Sequence, residues 1–180
     1  MNRHYYSNII SRFCSSSSHE ILGELVESSE FSVETTQKDS WLRQIKILKG
    51  LLNDYEGAIF FEYSIPRMGR RIDVVLLIEN VIFVLEFKIG EDKFLTNSLD
   101  QVWDYALDLK NFHETSHKHL IAPILIATEA QTFFQNIATT PHNDNLLFPI
   151  RANSISLEET IKSILSFADG ENIYAPAWAE

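Results

Sequence analysis

The sequence contains a single cysteine, Cys14, among its 180 residues. An internal disulfide is therefore excluded, and this cysteine usage is typical of a reducing compartment, so we expect a cytoplasmic protein. No apolar run approaches the roughly 20 residues that a membrane-spanning helix requires. Residues 1–20 also lack the long apolar stretch and the small-residue cleavage site of a signal peptide. We therefore expect a chain that has no membrane partner.

The sequence also lacks an excess of positive charge. Lys and Arg number 15 against 25 Asp and Glu, which gives a formal net charge of −10. This balance disfavours a protein that is held on nucleic acid mainly by a global positive field. It stays compatible with an enzyme that contacts phosphates through a local basic patch and bound metal ions. The composition is that of a globular protein, and we expect one domain over residues 1–180, with 1–18 as an N-terminal extension.

Hydrophobic periodicity divides the chain into helices and strands. Helical spacing of apolar residues predicts helices at 19–28, 38–53, 98–112, 129–138 and 157–167. Period-two alternation and short apolar runs predict strands at 58–65, 71–78, 81–89, 120–127 and 146–150. The resulting order is an antiparallel meander, then a crossover helix into another strand. Ser156 and Glu159 form a capping-box pattern at the start of the last helix.

The segment RRIDVVLLIENVIFVLEFKIG, residues 70–90, has the pattern of an apolar hairpin and nevertheless carries charge. A two-residue loop at Glu79 and Asn80 would place Ile78 opposite Val81. Pairs further from the loop then follow one residue at a time along each strand. This register predicts which charged side chains meet at the open end of the hairpin.

At that open end, Asp73 is expected directly across from Glu86, with Lys88 on the same face. Two ionised carboxylates about 5 Å apart repel by on the order of 3 kcal/mol at an effective dielectric of about 20. A raised carboxyl pKa, a nearby cation or a bound metal would relieve this repulsion. One interpretation is a solvated salt bridge from Glu86 to Lys88 or Arg71. The other is a carboxylate pair that binds Mg²⁺ or Mn²⁺, with Lys88 beside an attacking water.

At these residues the sequence resembles the PD-(D/E)xK nuclease superfamily. Asp73 is followed by Glu86, Phe87 and Lys88 at the end of the next strand, and Ile72 stands in place of the proline of the motif's name. The resemblance implies an α/β fold with a restriction-endonuclease-like αβββαβ core, in which helices flank a mixed central sheet. It also implies that Asp73, Glu86 and the backbone carbonyl of Phe87 hold the metal, while Lys88 acts on the water.

The following helix strengthens the resemblance. Gln101 and Tyr105, in QVWDY, are similar to the Gln and Tyr of a RecB-like subset, and their i, i+4 spacing points both side chains the same way. The resemblance implies that both line the catalytic cleft. Many superfamily members use a further acid from the first helix, for which Glu24 is the first candidate and Glu20 the second.

Longer stretches resemble the N-terminal nuclease-like region of a bacterial family in which a superfamily-one helicase-like domain follows. The stretches are residues 64–91 and 101–117, and residues 172–180 resemble the approach to the helicase part. The resemblance implies a magnesium-dependent deoxyribonuclease that acts in DNA processing or defence. It also implies that these residues belong to a longer protein, or that a helicase-like partner acts in trans.

Three arginines, Arg67, Arg70 and Arg71, lie within five residues just before Asp73. A solvated loop would explain them without any function. In a chain with this acidic balance they are also the best local candidates for contacts that position a phosphate backbone without reading its sequence.

A competing motif lies at residues 113–117, where His113, Glu114 and His117 match the HExxH pattern of zinc peptidases. The match falls where the helical periodicity of 98–112 ends, and Glu129 is the available third ligand. We expect a polar helix exit instead of a zinc site. A third alternative is a nuclease-fold domain that binds nucleic acid or a partner without cutting, although Asp73, Glu86 and Lys88 are all present.

Overall fold

A computed structural model of the chain describes residues 3–65 and 69–180. Six strands form one mixed sheet with helices on both faces. The strands are β1 (Tyr6–Ile9), β2 (Ala58–Ser64), β3 (Arg71–Ile78), β4 (Val81–Lys88), β5 (Leu120–Ala127) and β6 (Ile150–Ala152). The helices are α1 (Ile10–Ser15), α2 (Ser18–Ser28), α3 (Thr35–Leu51), α4 (Thr96–Phe112), α5 (Leu157–Phe167) and α6 (Ala175–Trp178), with a 3₁₀ helix at Glu114–Ser116. No helix in these two ranges is long and apolar enough to cross a membrane.

The strands lie in the sheet in chain order. Strands β1 to β4 are antiparallel, whereas β5 runs parallel to β4 and β6 parallel to β5. This change follows from the connections, because a two-residue loop can only reverse the chain and α4 provides the crossover that a parallel pair needs. The predicted hairpin register is confirmed from Ile78 opposite Val81 to Val74 opposite Leu85. Glu79 in the loop has a positive φ of 53°.

Two hydrophobic layers cover the faces of the sheet. On one face α1, α2, α3 and α5 pack against β3 residues such as Val74 and Leu76. On the other face α4 and α6 pack against Val75 and Leu77. The alternation of side chains along the strand therefore sorts neighbouring residues into different layers. The open end of the β3–β4 hairpin lies at the edge of both layers.

The N-terminal residues, which were predicted to be an extension, form part of the sheet and of the hydrophobic core. Strand β1 pairs with β2, with Tyr6 opposite Phe61, and Ile10 and Phe13 of α1 are buried in the core. Neither β1 nor α1 was predicted, because each is too short to display a period. Helix α2 begins with a capping box, in which the Ser17 side chain accepts from the Glu20 amide and Glu20 accepts from the Ser17 amide.

The helix predicted at 129–138 is wrong. The segment is irregular, and its backbone pairs elsewhere: the Phe148 amide donates to the Ala138 carbonyl, and the Thr140 amide donates to the Leu146 carbonyl. Phe134 is 90% exposed, so the apolar spacing that suggested a helix marks no buried face. The strand predicted at 146–150 is likewise displaced, since β6 begins at Ile150.

Helix α5 has the predicted bounds but a different cap. The Ser156 side chain makes no capping hydrogen bond to the helix. Instead, Asn153 Oδ1 accepts from the amides of Ile155 and Ser156, and Ser156 Oγ accepts from the Asn153 amide. The capping-box prediction at Ser156 and Glu159 is therefore wrong, and an Asn-centred turn binds the two amides that precede the helix.

Candidate functional site

Asp73 fixes the open end of the hairpin with its side chain. Regular β3–β4 pairing ends at Val74 opposite Leu85, and beyond it Asp73 Oδ2 accepts a hydrogen bond from the Phe87 amide at 2.8 Å. The carboxylate thus takes the place of a backbone acceptor and is held beside β4. The half-buried Asp73 lies one residue beyond that last pair, and its predicted pairing with Glu86 stays a prediction.

Four further side chains continue the site from β4 onto α4. Lys88 Nζ contacts Glu86 Oε1 at 2.9 Å and donates to Gln101 Oε1 at 3.2 Å. Gln101 Nε2 in turn bonds Tyr105 Oη at 2.9 Å. Together with Asp73 these residues form what we call the carboxylate cluster. The structure therefore brings together the five side chains that the sequence singled out as catalytic.

The second oxygen of Glu86 has no partner. The Glu86 side chain is only 4% exposed, and Oε2 is buried without a hydrogen bond from any described residue. A buried carboxylate oxygen without a donor carries an uncompensated desolvation penalty. Oε2 is therefore an acceptor without a donor, on a carboxylate whose charge raises the pKa of Asp73.

Burial also changes the acidity of the cluster. It raises the pKa of Asp73 well above its usual value, and the charges of Glu86 and Glu62 raise it further, against the Phe87 hydrogen bond and Lys88. Burial raises the pKa of Glu86 as well, and Lys88 opposes this shift. Both raised pKa values mean that the ionised forms of the two carboxylates are destabilised here. A cation bound between the two carboxylates would relieve that cost.

The donor set fits a hard divalent cation in part. Mg²⁺ is commonly held by one or two carboxylates and retains several waters, so Asp73 and Glu86 suffice in number. Across the described ranges, no group of three or more His, Cys, Asp or Glu side chains has the arrangement of a metal site. Phe87 contacts the cluster through its amide nitrogen, and its carbonyl as a ligand stays a prediction.

The predicted helix acids lie away from this cluster. Glu24 is exposed on α2, and its charge raises the pKa of Tyr6. Glu20 takes part in the N-terminal capping box of the same helix. The acid that raises the pKa of Asp73 in addition to Glu86 is Glu62 of β2, which the sequence reasoning missed. A signal was present, because Glu62 is the one charged residue in the apolar strand AIFFEYS.

The arginines occupy different environments. Arg70 is half-exposed and lies 3.5 Å from Asp104 of α4, at the rim of the cluster. Arg71 lies over the Tyr5 ring at 4.1 Å and donates to the Glu62 carbonyl at 2.9 Å, so its guanidinium is engaged within the protein. Arg67 lies outside the described residues.

The HExxH segment is not an α-helical turn. Helix α4 ends at Phe112, and residues 114–116 form the 3₁₀ helix. His113 is buried, and its Nε2 and Nδ1 hydrogen-bond to Tyr63 Oη at 3.1 Å and Ser116 Oγ at 2.8 Å, while Trp178 Nε1 donates to Ser116 Oγ at 2.9 Å. We call these four residues the histidine cluster. Both ring nitrogens are committed to internal contacts, so this geometry does not favour a zinc ligand.

Two open cavities adjoin the carboxylate cluster. One, of about 390 Å³, is lined by Lys88, Phe87 and residues at the start of α3, including Thr36. The other, of about 460 Å³, is lined by Gln101, Tyr105 and Arg70. Both are large enough for part of a polymeric substrate to approach the cluster.

No protein-family model, curated protein or solved structure matches the chain. The proposed function therefore rests on the contacts, burial and charges of the carboxylate cluster.

Proposed function

We propose that the protein is a metal-dependent nuclease that hydrolyses phosphodiester bonds in DNA. The observation that carries the proposal is the buried, unpartnered Oε2 of Glu86, on a side chain whose other oxygen contacts Lys88 and which lies beside Asp73. The order α3, β2, β3, β4, α4, β5 supports the further proposal of a restriction-endonuclease-like αβββαβ core.

Asp73 and Glu86 would hold Mg²⁺ or Mn²⁺. When bound, such an ion supplies Lewis acidity toward a phosphate oxygen and makes an attacking water more acidic. The two carboxylates also position the ion, because Asp73 is fixed by the Phe87 amide and Glu86 by Lys88. Since burial raises both carboxyl pKa values, protons compete with the ion, and the affinity for Mg²⁺ should increase as the pH rises.

Lys88 is the group that acts on the water or on the phosphate. Its ammonium has three donors, and two of them are directed at Glu86 Oε1 and Gln101 Oε1. The third is left to hold an attacking water or to offset charge that develops on the phosphate. Tyr105 holds the Gln101 amide, which in turn fixes the position of the ammonium. These two residues therefore act as positioning residues in the cleft.

DNA would approach over the rim at Arg70, whose guanidinium is half-exposed beside the cavity of Gln101 and Tyr105. The net charge of −10 opposes strong binding of DNA by the chain alone. We therefore propose that a helicase-like domain, in cis or in trans, supplies much of the affinity and delivers the strand.

The test is cleavage of linear and circular DNA by the purified protein with Mg²⁺, with Mn²⁺ and with EDTA. Cleavage should require a divalent cation and should be lost in Glu86→Gln, which removes a ligand charge but keeps the shape. His117→Ala is the matched control and should cleave normally. Binding of DNA without cleavage under every metal condition would instead favour a non-cleaving module. Stoichiometric zinc together with peptidase activity that His117→Ala abolishes would favour the peptidase.

A further inference from the structure

A third cavity, of about 370 Å³, has Glu62 in its lining. Its lining combines two carboxylates, the partly buried Glu62 and the exposed Glu34, with three aromatic side chains, Tyr5, Phe31 and Trp41. The volume falls within the range of about 300–1,000 Å³ that is typical of small-molecule sites. The lining is rich in hydrogen-bond acceptors and in aromatic surface, and this pairing suits a flat ligand that donates hydrogen bonds.

Glu62 is held in a costly conformation at the wall of this cavity. Its φ of 53° is unusual for a residue other than glycine, and it lies within a strand. The flanking β2–β3 pairs, Phe61 with Val74 and Tyr63 with Ile72, place Glu62 opposite Asp73. Glu62 Oε1 accepts from Trp41 Nε1 at 2.8 Å, which orients the carboxylate. Such strain persists where the surrounding contacts enforce it, and it is concentrated at ligand-binding positions.

Phe31 provides the accessible aromatic surface. It is 78% exposed, and it lies in the loop between α2 and α3. The Ser29 hydroxyl stabilises this loop, because it donates to the Phe31 carbonyl at 3.0 Å and accepts from the Phe31 amide at 3.4 Å. Tyr5 is already covered by Arg71 at 4.1 Å. Phe31 is therefore the ring on which a ligand in this cavity can stack.

The cavity adjoins the site where the phosphate would be cleaved. Thr36 lines both this cavity and the cavity of Lys88 and Phe87. A strand with its phosphate at the carboxylate cluster can therefore place a neighbouring base across the first turn of α3. This connection makes a nucleobase a better candidate than a free metabolite.

We propose that this cavity binds an unpaired base of the DNA strand, with guanine preferred, through hydrogen bonds to Glu62 and stacking on Phe31. The inference rests on the proposed nuclease function, which supplies the strand. An ionised carboxylate only accepts hydrogen bonds. Guanine offers it a ring N–H and an exocyclic amino group side by side, whereas each other DNA base offers only one of these donors. Reading an extruded base by its pairing edge and by stacking is a general solution for enzymes that act on nucleic acids.

The test measures binding without cleavage. Pentamers TTXTT, in which X is each of the four bases, are titrated calorimetrically into the protein in EDTA at low salt, where phosphate contacts are strongest. The pentamer with guanine should bind at least about tenfold more tightly, as expected for paired hydrogen bonds to a charged acceptor. Glu62→Gln should abolish this preference. Phe31→Ala should weaken binding of all four pentamers by about five- to a hundredfold.

The control is Phe134→Ala, which removes another exposed ring, at a position that does not line the cavity, and should leave all four affinities unchanged. Equal affinities for the four pentamers, or a guanine preference that survives Glu62→Gln, would overturn the inference. So would preferential binding of a trimethyl-lysine peptide, which would identify the aromatic lining as a cation site. Because the assay contains no divalent cation, its outcome is independent of whether the carboxylate cluster cleaves DNA.

Discussion

The protein contains two polar clusters that involve α4, one along the helix at Gln101 and Tyr105 and one at its C-terminal end at His113. They differ in whether their hydrogen bonds are satisfied. In the histidine cluster no side-chain nitrogen or oxygen is buried without a partner. In the carboxylate cluster Glu86 Oε2 is buried and unpartnered, and the pKa values of Asp73 and Glu86 are both raised. A satisfied cluster needs nothing further and serves the fold. An unsatisfied one carries a desolvation cost, and under the proposed function a bound ion would offset it.

The comparison also separates two motifs of the same sequence. Residues 113–117 match a metal-site pattern, but the helix ends before them and His113 turns inward to Tyr63 and Ser116. Asp73, Glu86 and Lys88 are scattered over two strands, and strand pairing brings them together. The local pattern thus lacks the helical geometry of its motif, whereas strand pairing brings the distributed residues into one cluster. Tertiary geometry, and not the match itself, distinguishes the two.

The largest expected difference between the two clusters is the effect of a substitution on catalysis. Lys88→Ala should lower kcat/KM for DNA cleavage by roughly 10²- to 10⁴-fold, since it removes the only ammonium in the carboxylate cluster. Initial rates at saturating Mg²⁺ measure this, with circular dichroism as the check on folding. Lys110→Ala, on the exposed side of α4 where Lys110 contacts the His117 carbonyl at 3.4 Å, is the control and should retain full activity. Full activity in the Lys88 variant would refute the assigned role.

The next effect concerns stability in acid. Burial lowers the pKa of His113 from 6.5 to about 4, so the folded protein binds fewer protons than the unfolded chain between these values. Stability from this residue is therefore present above pH 6.5 and is lost as the pH falls, by on the order of 3 kcal/mol in total. Urea unfolding from pH 7 to pH 4 should show this loss.

His113→Gln separates this contribution from other titrating groups. The variant should be less stable at pH 7, because Tyr63 and Ser116 lose their ring partner. Its stability should nevertheless fall less steeply than that of the natural protein between pH 6.5 and pH 4. Parallel pH profiles for the two proteins would mean that His113 does not titrate as its burial implies.

The contrast between local patterns and tertiary geometry also explains how much of the structure the sequence could predict. The hairpin register followed from one two-residue loop, because the strand period of two fixes every later pair once Ile78 faces Val81. The helix at 129–138 could not be excluded, since Ala130, Phe133, Phe134 and Ile137 have helical spacing, yet Phe133 and Phe134 are 53% and 90% exposed. Periodicity reports where apolar residues recur, and burial depends on what packs there.

For the candidate site, the sequence identified the residues but not their environment. Asp73, Glu86 and Lys88 were expected to meet at the open end of the hairpin, because the loop and the strand period determine which residues lie there. Glu62 was missed, since its effect on Asp73 depends on β2–β3 pairing, for which the sequence has no short loop. The different surroundings of Arg70 and Arg71 were equally hidden, because Tyr5 and Glu30 approach from distant parts of the chain.

A smaller effect has the opposite dependence on pH. Since the pKa of Asp73 is raised on folding, the folded state binds more protons, and stability falls as the pH rises from the usual carboxyl pKa through the raised value. Asp73→Asn should therefore increase stability at pH 7 by about 1 kcal/mol, or roughly 2–4 °C in Tm. The amide oxygen of Asn keeps an acceptor for the Phe87 amide.

Thermal unfolding with and without Mg²⁺ completes this experiment. Excess Mg²⁺ should raise the Tm of the natural protein and should raise that of Asp73→Asn much less, because one ligand charge is gone. Asp92→Asn, at an exposed position, is the control and should respond to Mg²⁺ as the natural protein does. Destabilisation by Asp73→Asn at pH 7 would show that Asp73 is compensated within the chain, as the histidine cluster is.

The smallest expected effect distinguishes two neighbouring arginines. Arg70→Ala should change the free energy of unfolding by less than about 1 kcal/mol, because its ion pair with Asp104 is half-exposed. If Arg70 contacts a phosphate, DNA affinity should weaken alike for all sequences, and the slope of log K against log salt should decrease by about 0.7–0.9.

Arg71→Ala should instead destabilise the fold, since the Arg71 guanidinium stacks on Tyr5 and binds the Glu62 carbonyl. Fluorescence anisotropy with labelled DNA in EDTA, over a range of salt concentrations, measures the first effect, and urea unfolding measures the second. An unchanged salt slope in Arg70→Ala would make Arg70 a surface ion pair only, and contact with the phosphate backbone would then have to come from another part of the protein.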